Sequence, residues 1–295
     1  MKLLLGELSP GVGTVRANLD RIRSALKGRS VDMAVFPELF LSGYRAGDRM
    51  SRLALGPGDE ATRELAGIAR ETRCHLVVGG PVRLAGRPGE IANAALWMTP
   101  EGALATQVKR YLPSFGPFEE AHFFTPTDRS RPVRFGERRV GLAICYDSFF
   151  PEVFRELGLQ GAELLVVISA SPVTSGPLFA KILPARAIEN AVPLLYSNRV
   201  GTEDGIVFGG GSGGWDARGE PLAFEARPFE GGAPEERILT GTVDLDEAPR
   251  WRPFRPVLRD RASRPGRSRH APGPDGPGGE GSAAPSDAFQ LEPAP

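Results

Sequence analysis

The sequence predicts a layered α/β protein, on three observations. Short apolar runs of strand length alternate with stretches of helical periodicity. The run Leu164–Ile168 is wholly apolar, as in a strand covered on both faces at the centre of a sheet. With 295 residues, the chain can bury a substantial core, as one large domain or two small ones.

The elements follow in order. Lys2–Leu5 reads as a first strand; Val15, Leu19, Ile22 and Leu26 then recur at helical spacing, with Gly28 as a stop. Met33–Phe36 is a second strand, ending at Pro37-Glu38. Asp59–Thr72 reads as a helix buried through Leu65, Ile68 and Ala69, and the strand Leu76–Val78 follows. Ala92–Met98 and Val140–Ile144 are further strands, with an extended segment at Ala103–Val108. Pro151–Leu157 is a helix that stops near Gly158. Leu178–Asn190 is helical, and Pro184 predicts a kink or a restart inside it. Leu194–Ser197 and Ile206–Phe208 complete the core strands, and Leu239–Val243 is a last one near the edge. There is no internal repeat of solenoid period.

Two regions are expected, a folded domain over 1–261 and a tail over 262–295. The tail holds seven of the 28 prolines and six of the 37 glycines, with Phe289 its one aromatic residue. Such a segment buries too little apolar area to offset its conformational entropy, so it reads as disordered.

Composition narrows the function. The 36 basic residues balance 36 acidic ones, which argues against a nucleic-acid partner. No stretch approaches the roughly 18 apolar residues that span a bilayer. Leu3–Leu5 is too short for a signal-peptide core. Two cysteines make no disulfide framework and, with three histidines, supply no zinc tetrad. The expectation is a cytoplasmic protein with free thiols and no metal.

Cys145 stands out. It ends the apolar run Val140–Ile144 and precedes the turn Tyr146-Asp147-Ser148 and the helix start Pro151-Glu152. Strand ends are where sites sit in α/β proteins, and the backbone N–H groups and dipole of a following helix favour a thiolate. Cys74, late in a helix, reads as a small buried hydrophobe. Glu38, directly after a strand and Pro37, reads either as a turn acceptor or as a base, a role that needs partial burial. Lys109 follows the extended segment and by itself reads as a solvated lysine. Among the histidines, His270 lies in the tail and His75 beside Cys74, so a cysteine–histidine dyad would have to use His122.

Three segments together resemble the signature blocks of the nitrilase superfamily of carbon–nitrogen hydrolases. They are Val35-Phe-Pro-Glu-Leu-Phe-Leu-Ser-Gly-Tyr44, Lys109-Arg-Tyr-Leu-Pro113 and Gly141-Leu-Ala-Ile-Cys-Tyr-Asp-Ser-Phe-Phe-Pro-Glu152. Supporting blocks at Phe115–Phe124, Ala185–Asn190, Asn198–Gly201 and Phe208–Ser212 keep the family's order, over roughly residues 2 to 260. The resemblance implies a four-layer α-β-β-α sandwich, forming homodimers or larger assemblies through helices near Ala185–Asn190. It also implies roles: Glu38 as general base, Lys109 as stabiliser of the oxyanion, Cys145 as nucleophile, and Glu120, rather than Glu119, as the second glutamate that positions the lysine. The amide N–H of Tyr146 would complete the oxyanion hole, and Phe115 and Ser171 stand at pocket positions of glutaminase-like members. No metal or organic cofactor is needed.

The resemblance therefore implies a cysteine-dependent hydrolase acting on a small-molecule linear amide, releasing ammonia or an amine. Two alternatives remain: a β-ureidopropionase-like hydrolase of N-carbamoyl amino acids, which would want a pocket arginine, and a catalytically silent scaffold. Tyr146-Asp147 stands where nitrilases carry Trp-Glu and argues against nitriles. Ala170-Ser171-Pro172 replaces a segment that often holds tryptophan, and Pro184 and Gly213-Gly214 stand where bulkier or charged residues are usual. Leu112–Glu120 resembles the glutaminase domains attached to NAD synthetases, although no synthetase domain is expected here.

Overall fold

The computed structural model describes residues 1–262; of the tail expected over 262–295, Ala262 closes a helix and 263–295 lie outside the described residues. In chain order the strands are β1 (Lys2–Glu7), β2 (Met33–Val35), β3 (His75–Arg83), β4 (Ile91–Met98), β5 (Leu104–Val108), β6 (Val133–Phe135), β7 (Arg138–Ile144), β8 (Leu164–Ser169), β9 (Leu194–Asn198), β10 (Val200–Glu203), β11 (Ile206–Gly209), β12 (Gly213–Trp215), β13 (Phe224–Pro228) and β14 (Arg237–Thr242). The helices are α1 (Val15–Leu26), α2 (Met50–Leu53), α3 (Glu60–Thr72), α4 (Glu120–Phe123), α5 (Pro151–Leu159), α6 (Gly176–Asn190), α7 (Glu247–Trp251) and α8 (Val257–Ala262).

The strands form a seven-stranded sheet, ordered β13-β14-β1-β2-β3-β4-β5, and a five-stranded sheet, ordered β12-β9-β8-β7-β6. Each has a parallel centre: β1, β2 and β3 in the first, β7, β8 and β9 in the second.

The two-residue alternation of side chains along a strand builds the layers. Leu4, Ala34, Leu76 and Val78 pack against Leu19, Ile22, Leu65 and Ile68 of α1 and α3. Their neighbours Leu3, Leu5, Met33, Val35 and Val77 turn the other way and meet Val140, Leu142, Ile144, Val166 and Ile168 of the second sheet. On the far side, Ala143, Leu165 and Val167 pack against Val153, Leu157, Leu183 and Ala187 of α5 and α6. The result is the expected four-layer α-β-β-α sandwich. Its central strands are apolar on both faces, so they show no alternation in sequence.

Two expectations need correction. Ile206–Phe208 belongs to a separate two-stranded hairpin with β10 and not to either core sheet. The Leu239 strand does lie near the edge of its sheet, one place in, paired on its two sides with β1 and the edge strand β13. The short β13, with exposed residues, lacks the apolar run that would have revealed it. Of the kink or restart expected at Pro184, the restart does not occur: α6 runs from Gly176 to Asn190 with the proline inside. Packing of Phe179, Leu183 and Ala187 on the sheet outweighs the one hydrogen bond that a proline removes. No helix among the described residues is long and apolar enough to cross a membrane.

Candidate active site

The polar site lies at the C-terminal ends of three strands: Glu38 follows β2, Lys109 follows the edge strand β5 and Cys145 follows β7. Glu38 sits in a tight turn whose next residue, Leu39, has φ +48°, uncommon for a bulky side chain. The turn lies directly on β3: Gly79 N–H donates to the Pro37 carbonyl at 3.1 Å, and Leu41 N–H to the Gly79 carbonyl at 3.0 Å. A Cβ at residue 79 would stand 2.4 Å from Leu39 N and from Pro37 O, so only glycine allows this approach.

Glu38 and Lys109 are fully buried and Glu120 nearly so. The Lys109 ammonium donates to Glu38 Oε1 at 2.6 Å and to Glu120 Oε1 at 2.7 Å. Glu38 Oε2 accepts the Ala170 N–H at 2.8 Å. Glu120 Oε1 also accepts the Tyr44 hydroxyl at 2.6 Å. The amide of Asn93 donates to both carboxylates, at 2.7 Å to Glu38 Oε1 and 3.2 Å to Glu120 Oε2. Burial pushes Glu120 up to about 7, against the pull of Lys109. Burial also works against the Lys109 charge, but Glu120 and Glu38 outweigh it and hold the ammonium protonated beyond its ordinary range.

Cys145 has φ +46° and opens a short 3-10 turn, Cys145–Phe149, ahead of α5. Strained backbone of this kind costs about 1–3 kcal/mol and persists only where the surroundings over-determine it. Asp147 does so here. One of its oxygens accepts the N–H groups of Arg110 and Tyr111 at 3.1 and 2.9 Å, and the other accepts the N–H of Ile144 at 3.1 Å. The elbow is thereby tied to the segment that carries Lys109. Burial pushes Asp147 up to about 6, against these donors and Lys109.

The thiol corrects one expectation. Burial, and then the Glu38 charge, raise the Cys145 thiol well above its ordinary range, and Lys109 offsets this only in part. The resting sulfur is a thiol, because the desolvated corner and its carboxylates outweigh the short turn's dipole. His122 is exposed on α4, and the groups that act on the Cys145 thiol are Glu38, Lys109, Ser169 and Glu120. The cysteine–histidine dyad has no support in this geometry. Cys74 is buried, as expected.

Phe115 is 53% exposed, with its ring edge-on to Phe118 and to Tyr146 beside the nucleophile. Ser171 is buried next to Ala170, its backbone held by the Asn198 side chain. Asn93, Tyr44 and the role of Asp147 escaped the sequence reading. Tyr44 and Asp147 lie inside the recognised blocks, whereas Asn93 sits in the apolar strand run Ala92–Met98, where one polar residue at a core position was the available signal.

The model of the carbon-nitrogen hydrolases matches residues 7–253. This chain belongs to the carbon–nitrogen hydrolase family. An (R)-stereoselective amidase of Pseudomonas sp is 34% identical over 88% of this chain and 91% of its own length. A glutamine-dependent NAD(+) synthetase of Thermotoga maritima is 35% identical over 84% of this chain, which spans only 42% of that longer protein. Among solved structures, the amidase of Nesterenkonia sp. AN1 superposes with a TM-score of 0.72 at 28% identity, over 88% of this chain and 93% of that one. That structure is of a glutamate-to-glutamine mutant of the amidase, with the acetamide moiety of fluoroacetamide added covalently at the active-site cysteine.

Proposed function

We propose that this carbon–nitrogen hydrolase cleaves small linear amides through a thioester on Cys145, releasing ammonia or an amine. The observation that carries the reading is the closed, buried network of Glu38, Lys109 and Glu120 beside a strained cysteine elbow. An amide carbonyl is a poor electrophile, so attack needs a strong nucleophile and fixed donors for the oxygen charge.

Each group has spare capacity for its part. Both lone pairs of Glu38 Oε1 are engaged by Lys109 and Asn93, while Oε2 holds one donor and keeps room for a proton. Glu38 takes the thiol proton as sulfur bonds to the carbonyl carbon, which suits a thiol held neutral until substrate arrives. Two of the three ammonium hydrogens of Lys109 go to carboxylates; the third, with the Tyr146 N–H, meets the developing oxyanion. Glu38 then returns the proton to the departing nitrogen as the C–N bond breaks. Water, deprotonated by Glu38, attacks the thioester, the C–S bond breaks, and the sulfur recovers its proton.

The carbamoyl alternative would want an uncommitted arginine. Arg199, which senses the Glu38 charge, is instead paired with Glu203 and stacked on Phe208 at 4.1 Å. That favours plain amides. The test is ammonia release from aliphatic amides, glutamine, carbamoyl amino acids and nitriles, with Cys145→Ala as control. Release from amides that disappears in the control is expected; release from nitriles alone, or activity surviving Cys145→Ala, would overturn the reading.

A further inference from the structure

Asn93 occupies an unusual place for a neutral residue. It lies on β4 with its side chain on the face of Ala95 and Trp97, towards the second sheet, and is fully buried. Its side-chain nitrogen spends one hydrogen on each carboxylate, and its backbone carbonyl accepts the Lys109 N–H at 2.8 Å. One residue therefore touches all three members of the ion network. Its amide oxygen has no hydrogen-bond partner among the described residues. Turning the amide over would aim that oxygen at two carboxylates, so the orientation is decided, and an unpartnered buried acceptor is tolerated to keep both hydrogens where they are.

The charge balance shows why such a group is needed. Two carboxylates share a single ammonium in a site closed to water, an arrangement that drives one of them to take up a proton. We propose that Asn93 is a positioning residue whose amide brackets Glu38 and Glu120 on either side of Lys109, so that the third ammonium hydrogen stays free for substrate. This rests on the roles given above to Glu38 and Lys109, but the bracket itself is a property of the resting protein. Without the amide, the carboxylate pair binds a proton more readily. Lys109 then turns towards whichever carboxylate remains charged.

The experiment compares the natural protein with Asn93→Leu, which keeps the shape and removes both donors. Urea unfolding is followed from pH 5.5 to 8.5, with the acid limb of kcat/KM wherever a substrate is turned over. A bracket for ionised carboxylates predicts that the stability gap between the two proteins widens as pH rises, because the lost donors matter only when both carboxylates are charged. It also predicts an acid limb moved upward by about one pH unit, with kcat falling at least about 100-fold and KM within about threefold. A residue that merely fills space costs the same stability at every pH and leaves the limb in place, and that result overturns the inference. If Asn93→Leu does not fold, Asn93→Ser, which retains one donor, is read the same way, with a smaller shift in the same direction. A chain that releases no ammonia from any amide refutes the proposed reaction, while the stability arm still decides the role of Asn93.

Discussion

The two ends of the space between the sheets bury polar groups in opposite ways. At the strand ends that carry the site, Glu38, Lys109 and Glu120 are each held by partners at 2.6 to 2.8 Å, and the two carboxylates keep the Lys109 ammonium charged. At the other end, His75 opens β3 with its ring 5.1 Å from Trp97 and 4.6 Å from Phe135. Among the described residues, neither His75 Nδ1 nor Trp97 Nε1 has a hydrogen-bond partner. Burial lowers the proton affinity of His75 despite the pull of Glu101 and Asp32, and the ring stays neutral. One end stores charge in a network; the other excludes it with apolar rings. Desolvation acts at both, and what differs is the supply of fixed partners.

The contrast breaks first at Lys109. Lys109→Ala leaves two buried carboxylates facing one another, at a cost of about 3–5 kcal/mol. It also removes the proposed oxyanion donor, with a loss of at least about 100-fold in kcat. Urea unfolding beside ammonia release checks both, and unchanged stability would show that the network is not what holds this end. Gly79→Ala comes next. Its methyl group displaces the Pro37-Glu38 turn, costing about 1–3 kcal/mol as overpacking does, with activity falling further than the folded fraction. Tyr44→Phe removes a donor from Glu120 and is expected to lower kcat about tenfold, as for one hydrogen bond to a charged group; the protein should stay folded by circular dichroism.

The smallest effect is at the apolar end. Because the folded protein binds a proton at His75 less readily than the unfolded chain does, stability is fully present above the ordinary histidine value of 6.5 and declines as pH falls below it. His75→Phe should flatten that decline in urea midpoints between pH 7 and 5. Should it not, this end carries no acid sensitivity, and the comparison rests on the site alone.

Much of the architecture was legible because central strands and amphipathic helices announce themselves by local apolar pattern. Leu164–Ile168 and the spacing of Val15, Leu19, Ile22 and Leu26 are examples. The hairpin β10–β11 was not, since Ile206–Phe208 is as apolar as a core strand and local pattern says nothing about which sheet a strand joins. In the site, Glu38, Lys109, Glu120 and Cys145 were found from the blocks that carry them. Asn93 was hidden, because a lone amide in a strand carries no mark of the two carboxylates it meets.

By itself, then, the sequence determined the layer pattern and the candidate nucleophile, because apolar runs and the place of a thiol at a strand end are local properties. The roles of Glu38, Lys109 and Glu120 came from the resemblance of whole blocks to a known family. Only the tertiary structure decided that the resting sulfur is a protonated thiol, that two glutamates share one lysine, and that Asn93 stands between them. Those outcomes depend on how much water is excluded and on which donors from distant segments arrive within hydrogen-bond distance, and both are settled only when the two sheets close on each other.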